Sequence, residues 1–580
     1  MTLKTMRSLR SAPRFSSPST SYVDTFSRNS LFRTASASQK SEILSVASNW
    51  HRPVYDHQIL EQNVLKYDDP LPPRSFNGEY LAVLKKTMEE FAPKEKIIPF
   101  TNGAALKHPS FPRNTSAGLP YKFEDGVRSK GDVIDKYGSS SVARTWDMIG
   151  RKIPITLPDS LCFNRTIASE KTKQKIRPIW GYPFDVFAEE TRWFYPMFQH
   201  LKEISNKDDL CYGIGMETAL DGHAHLRRVF ASIPDALVLN ADFTNFDARV
   251  PNWLIRDIVS YMSDWFDFTK VRDSDDKIWD VNPDQTTNRW KAMWSYFINT
   301  KIRLPNGKRF QKSHGVPSGS AFTNVIDTFC NAVAMRTALY IHCGYPAKDY
   351  YYGDDCTIVV SGTTVLNLEK LSEVLYQLFG FQLHPDKTLY SSNPDNIHWL
   401  GYYARPEGPR RPAEFILAST MFPDREVSSP VESAARLLGQ LYSCMDPLHA
   451  VWFYDAVQDI REIYQLTNEQ IHDFIQNSSI KAMKYLVTLG LEISDIVVPP
   501  IYYCPFNNLR RIDAVNPKPT ARSGPRLNSD VLPDFVFAPE CYSNIHFRHR
   551  SRFKFIYERS SASHDDYLNL SESDSGYETA

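Results

Sequence analysis

The chain has 580 residues, of which 42% are hydrophobic and 23% are charged. This ordinary globular composition excludes a wholly disordered chain or a coiled coil, and the length suffices for several domain-sized cores. The 67 Lys and Arg residues are balanced by 67 Asp and Glu residues. Net charge therefore gives no general attraction to polyanions, and any nucleic-acid site must rest on a local cluster of basic residues.

The cysteines and the apolar residues give no sign of a disulfide framework or a membrane anchor. The 8 cysteines are scattered without any Cys-x-x-Cys pair, which argues against a zinc module and fits a reducing compartment. No run of about 18 apolar residues occurs, and no apolar segment follows the first residues. We therefore expect a protein that neither spans a membrane nor is secreted.

Both ends of the chain have the composition of solvated tails. Residues 1–40 hold seven Lys and Arg and a single acidic residue in a Ser- and Thr-rich background, which predicts a flexible basic tail over 1–48. The same composition is typical of a mitochondrial transit peptide, and a tail that contacts RNA or a partner protein is the other alternative. Residues 541–580 are predicted to be a C-terminal extension that ends in an acidic tail.

Between the tails, helix and strand patterns are mixed, and the first clear element is basic. Its four basic residues occur at every second position, which would place them all on one face of a strand. In an otherwise neutral protein, such a face would be a strong attraction for phosphate. These residues are Lys171, Lys173, Lys175 and Arg177.

Five further elements follow in chain order. An apolar run typical of a buried strand occupies residues 236–242. Apolar residues at helical spacing then predict helices over 251–266 and 320–339. Two β-rich runs around Gly-Asp-Asp predict a hairpin over 350–360. A last amphipathic helix is expected over 366–379, where the next residue is a glycine suited to a C-terminal cap.

The predicted hairpin carries two adjacent carboxylates at a tight turn. Of five Asp-Asp pairs in the chain, only Asp354-Asp355 lies between two apolar β runs, where desolvated like charges are costly without a cation. A polar turn without function is the simpler interpretation. However, Asp242 ends the apolar strand and Asp247 follows it. If that strand lies beside the hairpin, about 4.8 Å away, Asp242 and Asp354 would bridge two divalent ions about 3.5–4 Å apart.

The third segment that could take part in binding or catalysis is the loop that opens the 320–339 helix. In Pro-Ser-Gly-Ser, Gly319 would supply flexibility, while Ser318 and the backbone N–H groups would face a nucleotide. An ordinary capped helix start is the alternative. Thr323 and Asp327 are one helical turn apart, so their side chains should point the same way.

In this order and spacing, these segments resemble the palm motifs of viral RNA-dependent RNA polymerases. The resemblance covers roughly residues 95 to 410, and its specificity comes from the whole set rather than from any single motif. The matching segments are DFTNFD (242–247), PSGSAFTNVID (317–327), YGDD (352–355), PDK (385–387), the weaker WLGYY (399–403) and the basic fingers segment KTKQKIRPIW (171–180).

Flanking segments narrow the resemblance to polymerases of the Partitiviridae, viruses with segmented double-stranded RNA genomes. The segments that carry this likeness are NTSAGLPY (114–121), RSKGD (128–132), KIRPIWGYP (175–183), VPNWLIRD (250–257) and GVPSGSAFTNVID (315–327). The resemblance implies an RNA-directed RNA polymerase that replicates and transcribes a viral double-stranded RNA genome. The implied partners are the RNA template and product, ribonucleoside triphosphates and a viral capsid protein. The implied location is the virion interior and the host cytoplasm.

The implied fold is an α+β right hand of fingers, palm and thumb, with an antiparallel palm sheet backed by helices. Residues 49–235 would hold an N-terminal region and the fingers. The palm would be formed by 236–262 and 313–408, with a return to the fingers over 263–312. Residues 409–540 would form a mostly helical thumb.

The resemblance also assigns the chemistry of the acidic site. Asp242 and Asp354 would coordinate two Mg²⁺ ions, with Asp355 supporting or sharing this role and Mn²⁺ as a substitute ion. Lys387 would be the general acid that protonates the leaving pyrophosphate. A surface lysine is the alternative for Lys387.

Basic and loop residues would hold the incoming nucleotide. Lys175 and Arg177 would clamp the triphosphate and brace the base, because Lys is a point charge and Arg a planar partner for phosphate. A solvated basic strand is the alternative. Ser318 and Gly319 would line the nucleotide site from the loop.

Ribose recognition is assigned to Asp247, Thr323 and Asp327, which would read a 2′-OH that both donates and accepts a hydrogen bond. Many polymerases of single-stranded RNA viruses carry Asn at the position of Asp327. An ionised Asp can only accept, so the hydrogen bonds must differ here, and Asn331 is a further candidate for this contact.

Two rival functions follow from the same residues. A reverse transcriptase is the nearest, because residues 352–355 also fit the Tyr-x-Asp-Asp pattern of that class. Reverse transcriptases place a bulky aromatic residue five positions after the first motif's Asp, which excludes a 2′-OH, whereas this chain has Asp247. A non-catalytic structural protein of the virion is the rival from another class, and the ordered set of motifs argues against it.

Overall fold

The computed structural model describes residues 6–16, 20–208, 210–216, 219–362, 364–384, 387–405, 408–443, 447–477 and 498. Helices and mainly antiparallel strands are mixed along this part of the chain, which confirms the predicted α+β class. Among the helices described, none has the length and apolar character that crossing a bilayer requires.

The N-terminal part precedes the predicted palm and is mainly helical. Its helices are α1 (Thr25–Thr34), α2 (Ala37–Asn49), α3 (His57–Leu65), α4 (Gly78–Glu90), α5 (Asn102–Lys107), α6 (Lys130–Tyr137), α7 (Ser140–Gly150), α8 (Phe184–Asp208) and α9 (Ala219–Ser232). Its strands are β1 (Arg7–Leu9), β2 (Trp50–His51), β3 (Ser160–Thr166), β4 (Ser169–Glu170) and β5 (Ile176–Gly181).

The middle part contains the segments that carry the acidic motifs. Its helices are α10 (Phe246–Arg249), α11 (Asn252–Asp264), α12 (Pro283–Ile298), α13 (Thr323–His342) and α14 (Leu368–Phe379). Its strands are β6 (Leu237–Ala241), β7 (Lys270–Arg272), β8 (Ile278–Asp280), β9 (Lys301–Arg303), β10 (Arg309–Gln311), β11 (Lys348–Tyr352), β12 (Asp355–Val360) and β13 (Leu389–Ser391).

The C-terminal part is a helical bundle preceded by a small sheet. The strands of this sheet are β14 (His398–Trp399), β15 (Tyr402–Arg405) and β16 (Gly408–Arg410). The helices are α15 (Ala413–Met421), α16 (Pro430–Ser443), α17 (Pro447–Tyr464) and α18 (Asn468–Asn477). Beyond residue 477, the described part of the chain includes residue 498 of the predicted thumb and no residue of the extension 541–580. The predicted domain boundaries stay predictions.

A four-stranded antiparallel sheet with the order β11-β12-β6-β13 lies at the centre. All five residues of β6 are buried and four of them are apolar, which explains why this strand shows no alternation of apolar and polar residues. The β11–β12 hairpin pairs Tyr352 with Asp355 next to its turn. The predicted strand over 236–242 and the predicted hairpin over 350–360 are therefore confirmed.

Helix α13 packs within the same core as this sheet. Its residues are buried from Thr323 to Leu339, apart from Asn324, and a helix with buried residues on every side belongs in the interior of a protein. Helix α14 begins after Asn367, whose side chain accepts from the Lys370 N–H, and ends at Gly380 in the left-handed conformation. The predicted 320–339 and 366–379 helices and the glycine cap are confirmed.

The N-terminal segment differs from the predicted flexible tail. Strand β1 joins a five-stranded sheet with the order β1-β10-β9-β3-β5, and α1 and α2 pack against the C-terminal helices through Leu31, Ile43 and Val46. Asp24 caps α1, accepts from the Ser433 hydroxyl at 2.7 Å and forms an ion pair with Arg436. The prediction of a flexible tail over 1–48 is therefore wrong for the described residues of this segment. Amino-acid composition does not reveal helix caps or contacts with residues distant in the chain.

Candidate active site

The central sheet brings the two acidic segments to the same end. Antiparallel pairing of β12 with β6 places Cys356 opposite Ala241, so Asp355 and Asp242 each lie one residue beyond this pair. Neighbouring strands lie about 4.8 Å apart, which makes the two acidic segments neighbours in space. The predicted position of this strand beside the hairpin is confirmed.

The carboxyl group of Asp354 lies among other acidic side chains. Burial and the charges of Asp355, Asp247 and Asp242 raise the pKa of Asp354 well above its ordinary value, while Arg177 acts in the opposite direction. Crowding of like charges away from water is unfavourable unless a cation joins them. The site therefore has the charge that would attract a divalent cation.

The donor atoms at this sheet end fit a hard divalent ion. Asp242, Asp354 and Asp355 offer carboxylate oxygens, which Mg²⁺ prefers. Within the described ranges, no three His, Cys, Asp or Glu side chains converge closely enough to form a complete metal site. Mg²⁺ is usually held by one or two carboxylates and completes its shell with water and substrate phosphates. Two carboxylates are therefore enough for an ion that is shared with a nucleotide.

The residues predicted to read the ribose lie beside this cluster. Asp327 is only 4% exposed, and its Oδ1 has no hydrogen-bond partner in the part of the chain that is described. Burial and the charges of Asp247 and Asp354 raise the pKa of Asp327 well above its ordinary value. In its protonated form Asp327 would have an O–H to donate, as an Asn has an N–H. The Thr323 hydroxyl already donates to the Pro317 and Ser320 carbonyls, at 2.8 and 2.9 Å.

Lys387 lies next to the first acidic segment, as the resemblance implies. Its Nζ is 3.9 Å from Asp242 Oδ1, and its side chain is 17% exposed. The two segments are also joined through the backbone, since the His384 N–H donates to the Asp242 carbonyl at 2.8 Å. Pro385 and Asp386 of the same motif lie outside the described residues, and the role of Lys387 stays a prediction.

The Pro-Ser-Gly-Ser loop packs tightly against β5 and α8. Ser318 Oγ accepts from the Trp180 N–H at 3.1 Å, and a Cβ at Gly319 would overlap the Trp180 carbonyl oxygen. The Ser320 hydroxyl and the Ala321 N–H both donate to one carboxylate oxygen of Glu190, at 2.8 and 2.9 Å. In this structure Gly319 permits a close backbone approach to Trp180, and its predicted flexibility stays a prediction. Nucleotide binding by Ser318 and Gly319 stays a prediction.

Gly319→Ala should disturb this loop, because the obstructing atom is a backbone oxygen and no rotamer change can move it. We expect a loss of about 1–3 kcal/mol in the free energy of unfolding, together with reduced activity. Gly439→Ala is the matched control, since Gly439 lies in α16, where an added Cβ would meet open space. That change should stabilise the protein by about 0.5–1 kcal/mol. Denaturant unfolding of both variants checks the comparison, and an unaffected Gly319→Ala would contradict the packing role.

The basic segment differs from the predicted strand. Strand β4 ends at Glu170, a turn follows at residues 171–172, and β5 begins only at Ile176. The Lys171 N–H donates to the Asn49 carbonyl at 2.7 Å. The four basic side chains therefore do not share one strand face, because Lys175 lies just before β5 and Arg177 lies on it.

Arg177 has a basic neighbour that sequence reasoning missed. Arg165 of β3 is directly opposite Arg177 in the antiparallel register, and Arg177 is close enough to lower the pKa of Asp354. Like charges directly opposite each other destabilise a sheet unless an anion joins them. The pair therefore suits a polyphosphate, and only strand register, which sequence does not give, reveals it.

Sequence reasoning also missed two buried residues that support the Pro-Ser-Gly-Ser loop. Burial raises the pKa of Glu190, which anchors Ser320, to about 8. Lys312 is fully buried and its Nζ donates to the carbonyls of Phe297, Ile298 and Gly315, at 2.6, 3.0 and 2.7 Å. Both residue types are usually exposed, so the sequence carries no signal for either position.

Comparison with known proteins agrees with this geometry. The sequence model of a family described as viral RNA-dependent RNA polymerase matches residues 30–418. An RNA-directed RNA polymerase of Cryptosporidium parvum virus 1 (strain KSU-1) is 24% identical over 441 residues, which cover 68% of this chain and 76% of the relative. An RNA-directed RNA polymerase of Atkinsonella hypoxylon virus (isolate 2H) is 23% identical over 337 residues, which cover 51% of this chain and 49% of the relative.

The family match decides between the functions that the sequence leaves open. It spans the strand, the loop helix and the hairpin that meet at the acidic site. It agrees with RNA synthesis on an RNA template, and it gives no support to a reverse transcriptase or to a non-catalytic virion protein. The chain belongs to the viral RNA-dependent RNA polymerase family.

Proposed function

We propose that this polymerase adds ribonucleotides to RNA with two Mg²⁺ ions, which Asp242 and Asp354 hold with the support of Asp355. The observation that carries the proposal is the register of β6 and β12, which sets these carboxylates at one sheet end. Bound there, the ions would activate the attacking hydroxyl and stabilise the leaving pyrophosphate. Mn²⁺ offers the same charge and accepts the same oxygen ligands, so it should substitute.

The surrounding residues supply binding, orientation and proton transfer. Arg177, with Arg165 beside it and Lys175 just before the same strand, would hold the triphosphate. Lys387 Nζ, 3.9 Å from Asp242 Oδ1, would donate its proton to pyrophosphate. The ribose would meet Asp247 together with the buried groups at the start of α13.

The direct test gives the purified protein an RNA template, four ribonucleotides and Mg²⁺, with deoxynucleotides in a parallel reaction. We expect template-directed RNA products that disappear when the metal is chelated and return when Mg²⁺ or Mn²⁺ is added. Products made only from deoxynucleotides would overturn the proposal. Synthesis that is unaffected by chelation would overturn the metal assignment.

Asp247 should set the preference for ribonucleotides. A site that bonds a hydroxyl penalises the analogue that lacks it, because its polar groups are left unpaired. Deoxynucleotides should therefore be disfavoured by roughly 2–4 kcal/mol, or about 30- to 1000-fold in kcat/KM. Asp247→Ala should remove much of this difference, chiefly by slowing ribonucleotide addition. Asp247→Tyr should exclude ribonucleotides by its bulk.

Single-nucleotide incorporation of matched ribo- and deoxynucleotides on one RNA template measures this preference. Asp264→Ala serves as the control, because Asp264 is an exposed carboxylate at the end of α11. An unchanged ribose preference in Asp247→Ala would remove this residue from sugar selection.

We further propose that the enzyme copies a double-stranded RNA genome within a capsid, with the virion interior and host cytoplasm as its locations. The support for this is the sequence likeness to Partitiviridae polymerases and the viral source of both relatives. Sedimentation of infected material tests it. Polymerase activity should travel with RNA-filled particles, and activity found only in free protein fractions would contradict a capsid partner.

A further inference from the structure

Two side chains of α13 hold the backbone of the acidic turn. Asn331 is fully buried, and its Nδ2 donates to the carbonyls of Asp354, Gly353 and Asp355, at 2.9, 3.1 and 3.4 Å. Thr328 is also fully buried, and its Oγ1 accepts from the Gly353 N–H at 2.8 Å. Helix α13 therefore supplies hydrogen-bond donors from Asn331 and a hydrogen-bond acceptor from Thr328 to the turn between β11 and β12.

The turn needs this support because the sheet does not provide it. The last pair of the β11–β12 ladder is Tyr352 with Asp355, so the two residues between them lie beyond the ladder. Gly353 adopts a positive φ of 63°, which glycine reaches without the strain of a Cβ. The amide of Asn331 must present its nitrogen to the turn, since its oxygen would repel three carbonyl oxygens.

The helix that carries these side chains is a rigid support. Residues 325–339 of α13 are buried without interruption within the main core, and close-packed interiors resist displacement. The direction of the Asp354 side chain is set by the backbone to which it is attached. A change in the turn would therefore move a carboxylate that the proposed metal site requires.

We infer that Asn331 and Thr328 are positioning residues that aim the Asp354 carboxylate at the metal ions. This inference rests on the proposed two-ion function and assigns Asn331 to the turn rather than to the ribose contact considered from the sequence. Neither side chain is needed as a ligand. Partners of this kind typically change metal affinity or activity by about 10–100-fold when they are removed.

The test compares variants of the full-length protein. Asn331→Leu removes the amide donor and Thr328→Val removes the hydroxyl, both at nearly constant side-chain size, whereas Thr328→Ser keeps the hydroxyl and loses only a methyl group. Thr337→Val is the matched control, because Thr337 is equally buried on the same helix but donates only to the Val333 carbonyl at 2.6 Å. The first measurement is Mn²⁺ binding without nucleotide, followed by electron paramagnetic resonance.

We expect Asn331→Leu and Thr328→Val to weaken Mn²⁺ binding by about 10–100-fold and to lower kcat with a smaller change in nucleotide KM. Thr328→Ser should bind Mn²⁺ as the unmodified protein does. Thr337→Val should leave Mn²⁺ binding unchanged even if its melting temperature falls. If Asn331→Leu does not fold, the Thr328→Val and Thr328→Ser pair gives the same comparison.

Two outcomes would overturn the inference. One is a folded Asn331→Leu or Thr328→Val with unchanged Mn²⁺ binding, and the other is an equal loss in Thr337→Val, which would show a general packing effect. Failure of the underlying function has a different signature, because Asp354→Asn would then bind Mn²⁺ as tightly as the unmodified protein. The two failures are therefore distinguishable in one set of titrations.

Discussion

Asp354→Asn should abolish nucleotide addition and leave the protein folded. The change removes one negative charge from a site proposed to hold two divalent ions, and such a loss should lower the rate by several orders of magnitude. The fold should not suffer, because burial and neighbouring carboxylates already raise the pKa of Asp354. When folding raises the pKa of an acid, the free energy of unfolding falls as pH rises above the pKa of that acid in the unfolded chain, which is near 4 for Asp. Without metal at pH 8, the asparagine variant should therefore melt at or above the temperature of the unmodified protein.

Primer extension and thermal melting with a chelator check these two expectations. Asp275→Asn is the matched control, because Asp275 belongs to another Asp-Asp pair and is exposed. It should retain full activity. Near-native RNA synthesis by folded Asp354→Asn would show that the acidic hairpin is not the catalytic centre.

Lys387→Leu should lower the turnover rate by about 10²–10⁴, the usual contribution of a general acid, with little change in nucleotide KM. The basis is the position of Lys387 Nζ, 3.9 Å from Asp242 Oδ1, where pyrophosphate would leave. Lys387→Arg separates charge from proton donation, because arginine keeps its positive charge and does not release its proton near neutral pH. It should therefore keep the positive charge beside Asp242 and still show the low turnover of Lys387→Leu.

Pre-steady-state incorporation with varied nucleotide concentration measures both constants. A large rise in KM with unchanged turnover would reassign Lys387 to phosphate binding. Full turnover in Lys387→Arg would show that charge alone is sufficient.

Sequence reasoning succeeded where the signals are local. The strand before Asp242 and the hairpin around Asp354 are short apolar runs bounded by turn residues, and the structure has both. The helix that ends at Gly380 carries its own cap signal. The family resemblance placed these elements in one site through the order of their motifs, but the register of β6 against β12 came only from the structure.

Sequence reasoning failed where a residue contacts a partner that is distant in the chain. Basic residues alternate over 171–175 as in a strand, yet this segment lies between β4, which pairs with Trp50 and His51, and the start of β5. Asn331 gives no sign in the sequence of its contact with the turn, since its partners are backbone atoms 22 and 23 residues away. Such contacts depend on tertiary packing, which periodicity does not encode.

The placement of the N-terminal segment has a consequence for how the protein is made. Arg33 contacts Asp459 across 426 residues, an interval of roughly 20–85 s at ribosomal rates of about 5–20 residues per second. Helices α1 and α2 have only 10 and 13 residues, which is marginal for a helix without tertiary partners. Helices α1 and α2 therefore leave the ribosome long before the residues that they contact in the native structure. The contacts between this segment and the C-terminal helices can form only after those helices have been synthesised.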